Sequence, residues 1–110
     1  MRVEVMELKQ GPAYYVEISE RASRDLEALA GEVRDVVDGP RALAEEALDA
    51  VHDALDALET NPRPPGARRR RTPGHYSLRV GPYRVHYAVD AEARLITVQR
   101  IIRDRRRRSP

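Results

Sequence analysis

Arg79, Arg84 and His86 stand on two short alternating segments, His75 to Val80 and Tyr83 to Val89. With Ser77 they fall on the side opposite Tyr76, Leu78, Val80, Tyr83, Val85, Tyr87 and Val89. A guanidinium fork grips phosphate or carboxylate oxygens in pairs, and an imidazole is the side chain whose ordinary pKa lets it trade protons near neutrality. One face of one hairpin therefore combines anion grip with proton transfer. Arginine is a poor base on its own: with a pKa near 13, about one in a million is neutral at pH 7, a handicap of about 8 kcal/mol. Any proton abstraction on this face falls to His86, with His75 second.

The elements that position this face are legible around it. Gly81-Pro82 suits a type II′ hairpin, because Gly supplies the positive φ of the first central position and Pro accepts the negative φ of the second. Arg94 to Ile102 reads as a third strand after the turn Asp90 to Ala93, completing a meander. Upstream, Tyr14 to Ile18 alternates as a strand, and Ser19 offers an N-cap hydroxyl. Ala22, Leu26, Leu29 and Val33 then recur at helical spacing, predicting a helix from about Glu20 to Ala30. Gly31 and Gly39-Pro40 punctuate the stretch that follows, leaving Glu32 to Asp38 as a short helical turn or a loop. Leu43, Ala47, Val51, Ala54, Leu55 and Leu58 make the apolar stripe of a second helix. Asn61 to Gly74, with four prolines and the run Arg68 to Arg71, reads as an exposed loop.

The expected fold class is α+β: two N-terminal helices packed on a small antiparallel sheet, in the order strand, helix, helix, three-stranded meander. The 110 residues form a single domain, with residues 1–13 a lead segment of open role and 103–110 a basic tail. The helices cover the Tyr/Leu/Val side of the sheet and leave the side of Arg79, Arg84 and His86 open.

Composition narrows what that open side can do. The chain has no Cys, so it has no disulfide and no thiolate, and its three scattered His lack acidic neighbours at ligand spacing. No metal site and no cofactor are expected. With no apolar run near the roughly twenty residues that span a bilayer, and no leader-like start, the sequence reads as soluble and cytoplasmic. The net charge of +2 hides a division. Residues 1–60 hold fifteen Asp and Glu against six Lys and Arg, a balance of −9, while residues 61–110 hold fourteen Arg against three acids, a balance of +11. A strongly basic half points to a polyanion or an acidic protein as partner. Arg68, Arg69, Arg70 and Arg71 either solubilise their loop or touch phosphate, and Arg105 to Arg108 either attract RNA or only aid solubility.

The pattern LRVGPYRVHYAVD followed by ITVQRIIRDRRR resembles the RelE/ParE toxins of bacterial type II toxin–antitoxin systems. In that family a segment of the type YRLRVGDYRVIYxVD precedes a strand of the type VxVLRVGHRRDVY. YYVEISERASRDLEAL is similar to the family's opening strand and first helix, so the resemblance covers Tyr14 to Leu29 and Leu48 to Arg105, while Glu32 to Glu46 has no clear counterpart. It implies a small α+β toxin neutralised by a cognate antitoxin through an acidic or amphipathic segment. RelE-like members cleave messenger RNA on the ribosome, whereas ParE-like members inhibit DNA gyrase without cutting anything.

By position, Arg84 matches the family's strand arginine and Arg79 a basic residue of the preceding strand. Ser77 falls where a RelE-type nuclease holds another basic residue, and the last strand lacks the family's His and terminal Tyr. Arg103 or Arg105 would then supply the missing phosphate contact. The sequence reading is an mRNA endoribonuclease with Arg84 and Arg79 clamping phosphate and His86 carrying the proton. The alternatives are a non-enzymatic gyrase inhibitor and an inactive antitoxin-binding module.

Overall fold

The computed structural model describes residues 13–36 and 41–104. Their order is β1 (Tyr15–Ile18), α1 (Glu20–Arg34), α2 (Arg41–Ala57), β2 (Ala67–Arg69), β3 (His75–Val80), β4 (Tyr83–Asp90) and β5 (Leu95–Arg103). The strands form one sheet in the spatial order β1-β5-β4-β3-β2. The α+β class and the helix-on-sheet layering are as the sequence predicts. The sheet is mixed and five-stranded, however, where a small antiparallel one was expected: β1 runs parallel to β5, and β2 joins antiparallel to β3 from within the Asn61 to Gly74 stretch.

The hairpin behaves as its turn residues require. Val80 pairs with Tyr83 across a two-residue connection, and Gly81 takes a φ of +57° that costs a residue without Cβ nothing. At the other end of β3, Gly74 has a φ of +81°, and an added Cβ would sit 3.2 Å from the Val89 carbonyl oxygen. The close approach is needed because the Gly74 carbonyl accepts from the Val89 N–H at 2.8 Å.

α1 starts as Ser19 predicts, its hydroxyl accepting from the Ala22 N–H at 3.1 Å. It continues past Ala30 to Arg34, because burying Val33 beside Leu29 outweighs the roughly 1 kcal/mol that Gly31 costs a helix interior. The core gathers Ala22 and Leu29 from α1 and Val51, Leu55 and Leu58 from α2 or its end. They pack on Tyr76, Leu78, Tyr83, Val85, Tyr87, Ile96, Val98 and Ile101 of the sheet. Tyr87 is fully buried, stacks on Tyr76 with ring centroids 5.6 Å apart, and donates its hydroxyl to the Pro62 carbonyl at 2.7 Å. This bond ties the proline-rich loop to the core. No helix among the described residues is long and apolar enough to cross a membrane.

β5 is one residue out of step with β4. His86 pairs with Arg100 and Tyr87 with Val98, so Gln99 is an extra residue and the ladder bulges there. Beyond the bulge β1 has ended, and the edge of β5 passes to α1. The Asp25 carboxylate accepts from the Ile101 N–H at 2.8 Å and so replaces a neighbouring strand.

Candidate functional site: a cationic sheet face

Pairing registers place the polar residues of four strands on one level of the open face: Arg68 of β2, Ser77 of β3, His86 of β4 and Arg100 of β5. Arg79 and Arg84 form the neighbouring cross-strand pair toward the hairpin turn. The face forecast from alternation is therefore assembled, and it extends further than the hairpin.

Arg79 and Arg84 converge on one atom. Arg84 donates to Asp104 Oδ2 at 3.0 Å and to Ser77 Oγ at 2.9 Å, and Arg79 Nε lies 3.2 Å from the same carboxylate oxygen. Asp104 is held there by its backbone N–H, which donates to the Pro82 carbonyl at 2.8 Å. Its side chain is only 4% exposed, Arg84's is 19% and Arg79's is 62%. One clamp arm is thus fixed and the other reaches into solvent. Ser77, itself buried, aims Arg84 where a third cation would have repelled it.

His86 is half-buried between these groups. Burial first, then the positive charges of Arg70, Arg84 and Arg100, hold its imidazole below the ordinary histidine value. It is therefore neutral at pH 7 and able to accept a proton. Arg100 is anchored by Asp25 through contacts at 2.9 and 3.3 Å. Burial pushes the Asp25 carboxyl up, but the Arg100 and Ile101 hydrogen bonds and the charges of Arg100 and Arg21 overcome this and hold it below the usual carboxylate range.

The other predicted contacts divide. Arg68 and Arg70 stand on the open side of the sheet and have no ion pair among the described residues. Arg69 registers with Tyr76 on the helix side, and with Arg70, Arg71 and His75 it lines a recess of about 260 Å³ at the β2–β3 turn. Arg103 is placed away from the open face, its guanidinium 5.4 Å from the Tyr83 ring centroid and 3.1 Å from Glu32. The alternation that puts Ile101 in the core carries Arg103 to the helix side with it. Arg105 lies outside the described residues. His75 sits on the open face at the start of β3, His52 is exposed on α2, and Tyr15 stands 71% exposed on β1. Asp104 and Asp25 were not foreseen as members of the site. Among the described residues no group of three His, Cys, Asp or Glu could hold a metal ion.

Residues 16–108 match the family model described as the ParE toxin of the type II toxin–antitoxin system parDE. The chain belongs to this toxin family. Solved structures with the same fold come from both sides of the RelE/ParE superfamily. The toxin–antitoxin complex RelBE2 from Mycobacterium tuberculosis gives a TM-score of 0.59 at 25% identity, over 84% of this chain and 99% of that one. The chromosomal ParDE system from P. aeruginosa gives 0.65 at 18% identity, over 83% and 96%. The archaeal RelE–RelB complex from Pyrococcus horikoshii gives 0.64 at 22%, over 86% and 99%. No curated protein matches the chain. Membership in a superfamily with two kinds of target does not choose between them, because function lives in the site and not in the fold.

Proposed function

We propose that this toxin is an mRNA endoribonuclease that blocks translation, acting without a metal or cofactor. The observation that carries this reading is His86: an imidazole kept neutral by burial and by Arg70, Arg84 and Arg100, on the same face as two guanidiniums that converge on a single oxygen. Strand residues two apart on one side are separated by about 6.6 Å, which puts His86 next to Arg84 and within reach of a nucleotide whose phosphate Arg84 holds. His86 would take the proton of a ribose 2′-OH as the 2′-oxygen bonds to phosphorus. The bond from phosphorus to the 5′-oxygen then breaks, and the proton passes from the imidazolium to that oxygen. The products are a 2′,3′-cyclic phosphate and a 5′-hydroxyl end. Arg79 and Arg84 offset the charge that gathers on the non-bridging oxygens, the role for which a fixed fork is suited. Three neighbouring guanidiniums destabilise the imidazolium and favour its return of the proton.

The ribosome is the setting the RelE resemblance implies, and a cognate antitoxin with an acidic or amphipathic segment is the partner. A cationic face suits that segment electrostatically, and the RelBE2 and Pyrococcus structures are themselves toxin–antitoxin complexes. A second reading, gyrase inhibition without chemistry, is favoured by the ParE family model and by Asp104, which already occupies Arg79 and Arg84.

Expression in growing cells with parallel measurement of transcript cleavage and plasmid supercoiling separates the two. Fragments ending in cyclic phosphate, lost in His86→Ala, support the nuclease. Relaxed plasmid with intact transcripts would overturn it in favour of gyrase.

A further inference from the structure

The bulge in β5 does more than shift a register. Along β5, Ile96, Val98 and Ile101 enter the core, so strict alternation would leave either Gln99 or Arg100, not both, on the open side. The extra residue breaks that parity: both Gln99 and Arg100 stand opposite the single residue His86. Bulges re-aim side chains in this way and are over-represented beside active sites. The distortion is pinned from behind, since the Ser19 hydroxyl donates to the Gln99 carbonyl at 3.3 Å and the Asp25 carboxylate takes the Ile101 N–H at 2.8 Å.

Next to this point lies an open depression of about 510 Å³, lined by Ser19, Glu20, Arg21, Arg24, Thr97, Gln99 and Arg100, with Glu20 paired to Arg24 at 3.2 Å. Its volume is in the range of small-ligand sites, about 300–1,000 Å³. Two of its side chains are matched to a nucleobase. The Gln99 amide offers a donor and an acceptor side by side and makes no hydrogen bond of its own among the described residues. Arg100 is held along its edge by Asp25. A guanidinium fixed at its edge keeps a flat face on which a base can stack.

We propose that Gln99 reads the nucleobase adjoining the phosphate held beside His86, hydrogen-bonding its edge while the base stacks on Arg100. The favoured base is adenine read on its N6/N7 edge, where it offers a donor beside an acceptor that match a carboxamide in two bonds and guanine offers only acceptors. This inference rests on the RNA-cleavage reading, deepening it from substrate class to base preference.

The test uses short single-stranded RNAs identical except for the base next to the cleavage position, with and without programmed ribosomes. Cleavage is followed on these RNAs, and binding on copies carrying a 2′-deoxyribose at the reacting nucleotide. Wild type should favour adenine over the other bases by about 5- to 150-fold, the worth of one bidentate base contact. Gln99→Ala should flatten that spread. Gln99→Glu, which presents only acceptors, should shift the preference toward cytosine, whose exocyclic amine donates. The gain seen with Glu guards against mistaking misfolding for lost recognition, and thermal melting of each variant checks it directly. Cleavage by both variants with the base ranking of wild type overturns the role of Gln99 and leaves the nuclease reading standing. Adenine-selective binding lost in Gln99→Ala, without cleavage of any RNA, supports the base reading and overturns only the chemistry. Absence of both cleavage and binding overturns both.

Discussion

Arg84→Ala is the substitution a geneticist would make first, and the structure gives it a cost unrelated to any target. It removes two hydrogen bonds at once, to Ser77 Oγ at 2.9 Å and to Asp104 Oδ2 at 3.0 Å, and leaves a carboxylate only 4% exposed. Arg79 stays on the same oxygen, so the loss is that of one charged hydrogen bond, about 1.5–3 kcal/mol. We expect about 2 kcal/mol, which at about 4–8 °C per kcal/mol lowers the melting temperature by about 8–16 °C. Adding Asp104→Asn replaces the buried carboxylate that Arg84 helped to neutralise with a neutral amide and should return about 1 kcal/mol of that loss. Urea unfolding followed by circular dichroism, with the slope held common to all variants, measures both. If Arg84→Ala unfolds within about 0.5 kcal/mol of wild type, as surface changes do, the pair does not hold the hairpin to the end of β5. A double variant no more stable than the single one refutes the coupling between Arg84 and the Asp104 charge specifically. Relief of growth arrest by Arg84→Ala then speaks to target contact only when the folded fraction has been matched.

Asp25 has its carboxyl lowered in the fold, so the stability it contributes is complete above the unfolded carboxylate pKa and is lost as pH falls through the folded value; Asp25→Asn should flatten the acid side of a stability–pH curve. His86 is likewise lowered, so its contribution is present above about 6.5 and declines as pH falls below that; His86→Gln should remove that decline, and RNA cleavage by wild type should persist below the usual histidine range. Replacing Arg68 and Arg70 together by Gln should make the dependence of RNA affinity on log salt shallower by about 1.4, at about 0.7 per phosphate contact, in fluorescence anisotropy titrations. Tyr87→Phe should lower stability by about 1 kcal/mol by leaving the Pro62 carbonyl without its donor, and proteolysis of the Asn61 to Gly66 stretch should quicken.

Local physics made much of the fold legible. Tyr76, Tyr83 and Tyr87 are core residues because each sits at an inward position of an alternating strand, and Ser19 and Gly81 announce their cap and turn through side chains or their absence. β2 was not legible for the converse reason. Ala67, Arg68 and Arg69 show neither β propensity nor alternation, and follow Pro64, Pro65 and Gly66; they become a strand because β3 would otherwise be a bare edge. The parallel join of β1 to β5 is equally non-local, linking Tyr15 to Leu95 across the whole intervening chain. α1 ran beyond its expected end because Val33 is buried by residues distant in sequence, beside Leu43 and Ala47 of α2 and Tyr83 of the hairpin, and no local rule about Gly31 contains that information.

At the site, alternation was enough to place Arg79, Arg84 and His86 on one face, but it said nothing about which acids would meet them. A segment-by-segment charge balance treats residues 61–110 as a block of cations seeking an outside partner. In the fold the partners of the best-placed cations are internal: Asp104 for Arg79 and Arg84, and Asp25, from the acidic half of the sequence, for Arg100. These pairs are what allows guanidiniums to sit close together before any target arrives, since like charges crowded on one face otherwise repel. Asp104 Oδ2 occupies the point where both guanidiniums converge, so a phosphate held there, as proposed, would have to compete with it. Arg68 and Arg70 face no such competition among the described residues, so on the proposed RNA reading the β2 side of the sheet is where a polyanion would first be drawn in. On the same reading, Arg79 and Arg84 would engage it only by displacing Asp104, whose carboxylate both already hold.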